Sequence, residues 1–321
     1  MSRIRPLPDR PAATEYDMRR AHDAARAIAE TVLGRDPGPM TAADSLSHYV
    51  YLATEVVVKL IDADGHDRLN METTLAPHLP PRLGAPLLAT GRRRLGTCEI
   101  RYACFTRLPG TRPGVGLPGA DAATVRRWAE HAVQRLDQLH TWTPTGTAEQ
   151  ALRQAPVIEG FTGRAALLTQ IERIRAADHD ALIPRPLIDG LVAIADNAPP
   201  YAAADVPVHA DCDWDNWLTD EHDNTALLDF EQARLGVPAD DWVLLAVTSG
   251  QHLARILDVI AERTATPPDI LRAECEIRDA ALIAHDLHRA LHLPALPSWI
   301  AARLRSLDAL VTVRRWWRCA P

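Results

Sequence analysis

Apolar residues are spaced in two ways along this chain. In the first third they form short runs: residues 47–52 and 55–61, joined tightly at Ala53-Thr54, then residues 87–91 and 98–108. Runs of that length bounded by turn residues predict strands. Two helices are expected around them. Residues 14–33 open on Thr14 with Asp17 three positions on, a capping-box-like start with Asp in place of Glu, and stop at Gly34. Residues 68–76 carry Glu72 mid-helix and are followed by Pro77. From residue 122 the apolar period lengthens to that of a helix. Val125, Trp128, Ala129, Ala132, Val133, Leu136 and Leu139 share one face of 122–139. Further helices are expected at 147–153, 163–176, 184–196, 242–248, 252–264, 269–293 and 298–317. Trp217-Leu218 and Ala226-Leu227-Leu228 flank the polar stretch 219–224 and read as a hairpin. Strands early and helices late make an α+β protein, and no internal repeat is visible.

A chain of 321 residues can bury a large core and suits two lobes better than one. Its 47% apolar and 24% charged content is that of an ordinary globular protein. The first residues contain no apolar stretch of the signal-peptide kind, and no later run approaches a membrane span, so no membrane association and a cytoplasmic location are expected. Cys98, Cys104, Cys212, Cys275 and Cys319 are odd in number and form no C-x-x-C pair, which argues for free thiols over a disulfide framework or a zinc site. A net charge of -7 disfavours nucleic acid as a partner and is compatible with a cationic substrate.

One compositional bias bears on chemistry. Lys and Arg total 35, yet the only lysine is Lys59. Guanidinium and ammonium are not interchangeable, so a chain this biased toward Arg singles out Lys59 as a position that needs a compact charge on a flexible stem. It lies in Val56-Val57-Val58-Lys59-Leu60, a strand of β-branched residues.

The densest chemistry falls between Val208 and Glu231. Asp211 follows the apolar Val206-Pro207-Val208, and Asn216 comes five residues later, within reach of one tight loop. The hairpin after Asn216 returns Asp229 beside it. An amide oxygen next to a carboxylate is a hard-oxygen site suited to Mg²⁺, which takes its remaining ligands from water and substrate phosphates. That combination points to a nucleotide-dependent transferase.

His209-Ala210-Asp211, Asn216 and Leu228-Asp229-Phe230-Glu231 resemble the H-G-D-x-x-x-x-N and I-D-F/W-E signatures of the aminoglycoside phosphotransferase family, relatives of protein kinases. The resemblance covers roughly residues 40–245. It implies a bilobal protein-kinase-like fold: a small β-rich nucleotide-binding lobe over 1–108, and a larger, mainly helical catalytic and substrate lobe over 109–321 with a variable insert around 145–205. By the same resemblance Asp211 is the catalytic base, Asn216 and Asp229 hold Mg²⁺, and His209 buttresses their loop. Lys59 holds the nucleotide phosphates and Glu72 fixes Lys59. The backbone from Cys104 through Arg107 to Leu108 meets the nucleobase, and Asp241, in a stretch similar to the family's G-D-P-x-x-D-L, braces the catalytic loop. His140 ends its helix as a packed residue. The expected Gly-rich phosphate loop has no glycine between Thr41 and His48, so Ser45, Ser47 and His48 are the donors that could replace it.

The activity this implies is transfer of the γ-phosphate of ATP, or of GTP, to a hydroxyl of a small molecule, with a cationic one such as an aminoglycoside as the leading candidate, which would make the chain an antibiotic-resistance kinase. Two alternatives stand beside it: a Ser/Thr kinase of a peptide natural-product precursor, and a catalytically silent pseudokinase that only binds. Glu274, Glu276, Asp279 and Asp286 lie on one expected helix, where they either form a solvated face or bind ammonium groups of the acceptor. Arg314-Arg315-Trp316-Trp317 is read as an aromatic end that docks the final helix.

Overall fold

The first helix begins as its sequence requires. Thr14 Oγ accepts from the Asp17 N–H (3.3 Å), and the Asp17 carboxylate accepts from the Thr14 N–H (3.1 Å), a reciprocal cap that satisfies two otherwise orphaned donors. Helix α1 (Glu15–Leu33) ends where Gly34 enters the left-handed region at φ 68°. In the computed structural model, residues 6–8, 10–45, 47–155, 163–200, 204–220 and 225–317 are described. Leu46, parts of the 145–205 insert, the 221–224 tip of the expected hairpin and Cys319 lie outside them.

Five antiparallel strands follow α1: β1 (Thr41–Ala42), β2 (Tyr49–Leu52), β3 (Val56–Asp62), β4 (Leu87–Leu95) and β5 (Cys98–Thr106), ordered β1-β2-β3-β5-β4. Helix α2 (Arg68–Leu75) lies between β3 and β4 in sequence. The period of two in a strand decides which side chains face which way. Tyr49 and Tyr51 of β2 and Val56, Val58 and Leu60 of β3 turn toward Ala21, Ala25 and Ile28 of α1 and form a closed core. Val50, Leu52, Val57 and Lys59 are thereby turned to the opposite face, where they line a cleft.

The second lobe is built from α3 (Ala122–His140), α4 (Gly146–Gln154), α5 (Arg164–Ala177), α6 (Arg185–Asp196), α7 (Ala239–Val247), α8 (Leu253–Thr264), α9 (Pro268–Leu291) and α10 (Ile300–Val311). Helix α9 is its axis, packed against α5, α7, α8 and α10. Two small antiparallel pairs sit between this bundle and the sheet: β6 (Val206–Val208) with β9 (Arg234–Gly236), and β7 (Trp217–Thr219) with β8 (Thr225–Leu227). Among the described residues no helix is long and apolar enough to cross a membrane.

The last helix departs from the sequence expectation. It ends at Val311 and not at residue 317, because Arg314 turns into the left-handed region at φ 54° and sends the chain back onto α9. Trp316 is then fully buried, with its indole Nε1 donating to the Asp279 carboxylate at 2.7 Å. Arg315 ion-pairs with the same carboxylate. Trp316→Ala should therefore lower unfolding free energy by about 3–5 kcal/mol, and Trp316→Phe, which keeps most of the buried area, by about 1–2 kcal/mol. Denaturant unfolding of the three proteins checks the order.

Candidate active site

The cleft between the sheet and the β7–β8 pair has a volume of about 870 Å³. Lys59 reaches it from β3. Its Nζ donates to Glu72 Oε2 at 2.6 Å and to Asp229 Oδ1 at 2.8 Å, with the Phe105 ring 5.7 Å away. The sole lysine is thus clamped between α2 and the turn that follows β8. Burial alone would depress the Lys59 ammonium, but the two carboxylates outweigh it and hold its pKa above the ordinary lysine value. For Asp229, burial opposes the charge and Lys59 more than restores it, so its pKa is lowered.

Two carboxylates share one ammonium here, and Glu72 takes the consequence. Burial, opposed by Lys59 but reinforced by Asp229, pushes its pKa from the ordinary 4.5 to about 7. A raised native pKa means that the folded, metal-free protein binds this proton more tightly than the unfolded chain. The resulting stabilisation is complete below about pH 4.5 and is lost as pH rises through about 7. Glu72→Gln removes the titration. Between pH 5 and 7.5 the stability of wild type relative to that variant should fall by roughly 2 kcal/mol. Parallel pH curves of thermal unfolding for the two proteins would contradict this.

The loop after β6 is held from below by one carboxylate. Asp241, buried at the start of α7, accepts the backbone N–H groups of His209 (3.0 Å) and Ala210 (2.8 Å) and the Nε2–H of His140 (2.9 Å). Burial penalises its charge, yet these donors hold its pKa below the usual range. His209 is fully buried, and burial is the main cause that lowers its pKa. Its Nε2 lies 2.8 Å from the Leu228 carbonyl and its Nδ1 accepts the Asp211 N–H at 3.3 Å. One imidazole therefore ties the Asp211 loop to the residue preceding Asp229. Ala210 adopts φ 63°, a left-handed conformation that a glycine at this position would occupy without strain. Trp214 and Trp217, both fully buried, fix the far side of the loop by donating to the Leu245 and Cys212 carbonyls at 3.0 and 3.1 Å.

Asn216 stands at the head of β7. Its Nδ2 donates to the Asp211 carbonyl at 2.7 Å, leaving its Oδ1 unclaimed among the described residues. Its own carbonyl accepts the Leu228 N–H at 2.8 Å, extending the β7–β8 ladder to the residue before Asp229. Asp229 itself is left-handed at φ 66°. Asp211, Asn216, Asp229, Lys59 and Glu72 thus line one cleft.

Of the other expected site residues, Arg107, Ser45 and Ser47 line the cleft and Cys104 and His48 do not. Cys104 pairs with Val58 of β3 and Ala89 of β4 in the interior of the sheet, and its thiol is buried in the α1 core, so it is off the cleft wall. Phe105, one residue on, faces the cleft in its place. Arg107 does line the cleft, but its Nη1 donates to the Ala53 carbonyl (2.7 Å) and its N–H to the Glu55 carbonyl (2.9 Å). The Thr106 N–H is used by Pro86, which makes the Leu108 N–H the first hinge donor not engaged by any described group. Ser45 and Ser47 line the cleft, whereas His48 is buried behind it against Glu231, a contact that spacing gave no sign of.

The four acidic residues of α9 are tied to arginines. Glu274 pairs with Arg278, Glu276 with Arg314 (3.3 Å), Asp279 with Arg315 and Asp286 with Arg303 (2.6 Å). None of the four lines the cleft, and each is drawn into an ion pair and does not form a solvated face.

A family model described as the phosphotransferase enzyme family matches residues 41–274, a span that includes every cleft residue above. The chain belongs to this family. It is accordingly a kinase-type enzyme with an alcohol group as acceptor, built on the kinase-like fold. The GDP complex of wild-type aminoglycoside 2'-phosphotransferase-IIIa is similar at 18% identity and TM-score 0.70, covering 92% of this chain and 99% of its own. The GDP and kanamycin complex of APH(2")-IIIa is similar at 19% identity and TM-score 0.68, covering 89% and 97%. The apoenzyme of macrolide 2'-phosphotransferase MphH from Brachybacterium faecium is similar at 21% identity and TM-score 0.61, covering 90% and 97%. Curated protein sequences give no significant match.

Proposed function

We propose that this phosphotransferase moves the γ-phosphate of ATP or GTP to a hydroxyl of a small molecule, with Mg²⁺ as the metal. The observation that carries the reading is the convergence of Lys59, Glu72, Asp211, Asn216 and Asp229, drawn from segments up to 170 residues apart, on one cleft. Related structures contain GDP or ADP, which supports a nucleotide donor. The donor set also suits the ion. Asn216 has an uncommitted amide oxygen, Asp229 keeps its charge, and both are hard ligands with the phosphates left to complete the sphere. When bound, the ion would neutralise charge on the phosphate oxygens.

Phosphoryl transfer asks the protein mainly for alignment and charge compensation. Lys59, fixed by Glu72, binds phosphate oxygens from the sheet side. Phe105 and the Leu108 N–H bound the nucleobase end. Asp211 accepts the proton of the acceptor hydroxyl as the oxygen attacks phosphorus. Asp215 and Asp44, which also line the cleft, are the carboxylates an ammonium-bearing acceptor such as an aminoglycoside would meet, since those of α9 are committed. Incubation with Mg²⁺, ATP or GTP and a panel of aminoglycosides, macrolides and simpler hydroxylated compounds, read by mass spectrometry, tests the proposal. Phosphoryl gain by an acceptor supports it; no phosphorylated product and no nucleotide binding would count against it.

A further inference from the structure

The segment that faces the phosphates lacks glycine, and its shape is set by contacts to the opposite lobe. Glu231 sits in the turn directly after Asp229, buried, and two pieces of chain converge on it. From the β1–β2 loop, His48 Nδ1 lies 3.1 Å and Ser47 Oγ 3.4 Å from Glu231 Oε2. From the entrance to α2, Arg68 lies 3.5 Å from Oε1. His66, in the same entrance, reaches the Ser47 carbonyl with Nε2 at 3.1 Å and packs edge-on against the His48 ring at 4.9 Å. The His48 side chain is only 1% exposed, so it is a bridge and not a ligand-facing group.

A glycine-rich loop is pliable and gains its shape when phosphates arrive, because glycine has the largest conformational freedom to lose. Here side chains supply that order in advance. We propose that Glu231 is a positioning residue which latches the β1–β2 loop to the Asp229 turn through His48 and Ser47, so that Ser45 and Ser47 are held over the cleft in register with Asp229 before nucleotide binds. The link to nucleotide rests on the phosphotransferase reading; the latch itself does not.

The contact also explains how a loop without glycine is compatible with a working enzyme. Ordering that is complete in the free protein is not charged against nucleotide affinity. Loss of the latch should therefore appear in nucleotide binding and leave acceptor binding alone.

Two readouts test this on the full chain. By hydrogen exchange, the β1–β2 loop of nucleotide-free wild type should be protected, and Glu231→Ala should speed exchange there while α1 and α9 remain as in wild type. In steady-state kinetics Glu231→Ala should raise KM for nucleotide by about tenfold, with acceptor KM unchanged and a smaller change in kcat. His48→Ala, on the other lobe, should give the same pattern in smaller measure, and the double variant no more than Glu231→Ala alone, since His48 acts through Glu231. Glu231→Gln, which keeps a hydrogen-bond acceptor for Ser47, should recover part of the nucleotide KM. A purely structural role would instead lower thermal stability and active fraction with KM unmoved. Equal loop exchange in wild type and in both single variants would overturn the latch, whatever the activity. Absence of all turnover in wild type with loop protection intact and lost in the variants would leave the latch standing and remove the phosphotransferase reading.

Discussion

Asp211→Asn is expected to lower kcat on the order of 10³-fold while leaving nucleotide affinity within about twofold of wild type. The geometry makes this a clean substitution. Two backbone contacts help to hold residue 211 in place, its N–H to His209 Nδ1 and its carbonyl to Asn216 Nδ2. Neither needs the carboxylate. The loop beneath is fixed by Asp241, His209 and the two tryptophans, none of which the change touches. What is lost is an oxygen able to take a proton. Single-turnover rates and calorimetric nucleotide affinity, measured on the same preparation, separate the two effects. Turnover near the wild-type rate would remove Asp211 from the role of base.

The second large effect is expected at Asp229. Asp229→Ala should abolish the Mg²⁺ dependence of nucleotide binding, a loss of about 10²-fold in affinity in the presence of the ion. Part of any change in the alanine variant is conformational, because Asp229 is left-handed and alanine tolerates that region less well than Asp or Asn. Asp229→Asn keeps the conformation and removes only the charge, so it should show the same loss of metal dependence with a smaller loss of stability. In both variants Lys59 keeps Glu72 as its partner, which spares the sheet side of the cleft. A nucleotide affinity that still rises with Mg²⁺ in the Asn and Ala proteins would move the metal elsewhere.

Much of this site was legible before any coordinates, for identifiable reasons. The β-branched run around Lys59 alternates faces, so once Val56, Val58 and Leu60 are assigned to the core, the lysine must point the other way. The five-residue gap between Asp211 and Asn216 and the hairpin after it are local, and local geometry follows from turn and strand signals. The capping box at Thr14 is local as well. The same alternation places the Cys104 thiol in the core.

What escaped the sequence is long-range pairing. Nothing in spacing couples His48 to Glu231, 183 positions later, or Asp279 to Arg315 and Trp316 beyond the end of α10. Those contacts tie α9 carboxylates to arginines and an indole. They also supply an ordering device where glycine is missing. Charge composition alone, at -7, pointed toward a cationic partner without revealing that these carboxylates were already committed.

The most direct test of the account is a calorimetric titration of ATP and GTP, with and without Mg²⁺, into wild type and Lys59→Ala. Lys59 is the chain's only lysine and the contact point of Glu72 and Asp229, so the donor site depends on it. Binding of at least one nucleotide that is strengthened by Mg²⁺ and weakened about tenfold or more by Lys59→Ala is the predicted result. Binding indifferent to both the metal and Lys59, or no binding of either nucleotide to wild type, would contradict it.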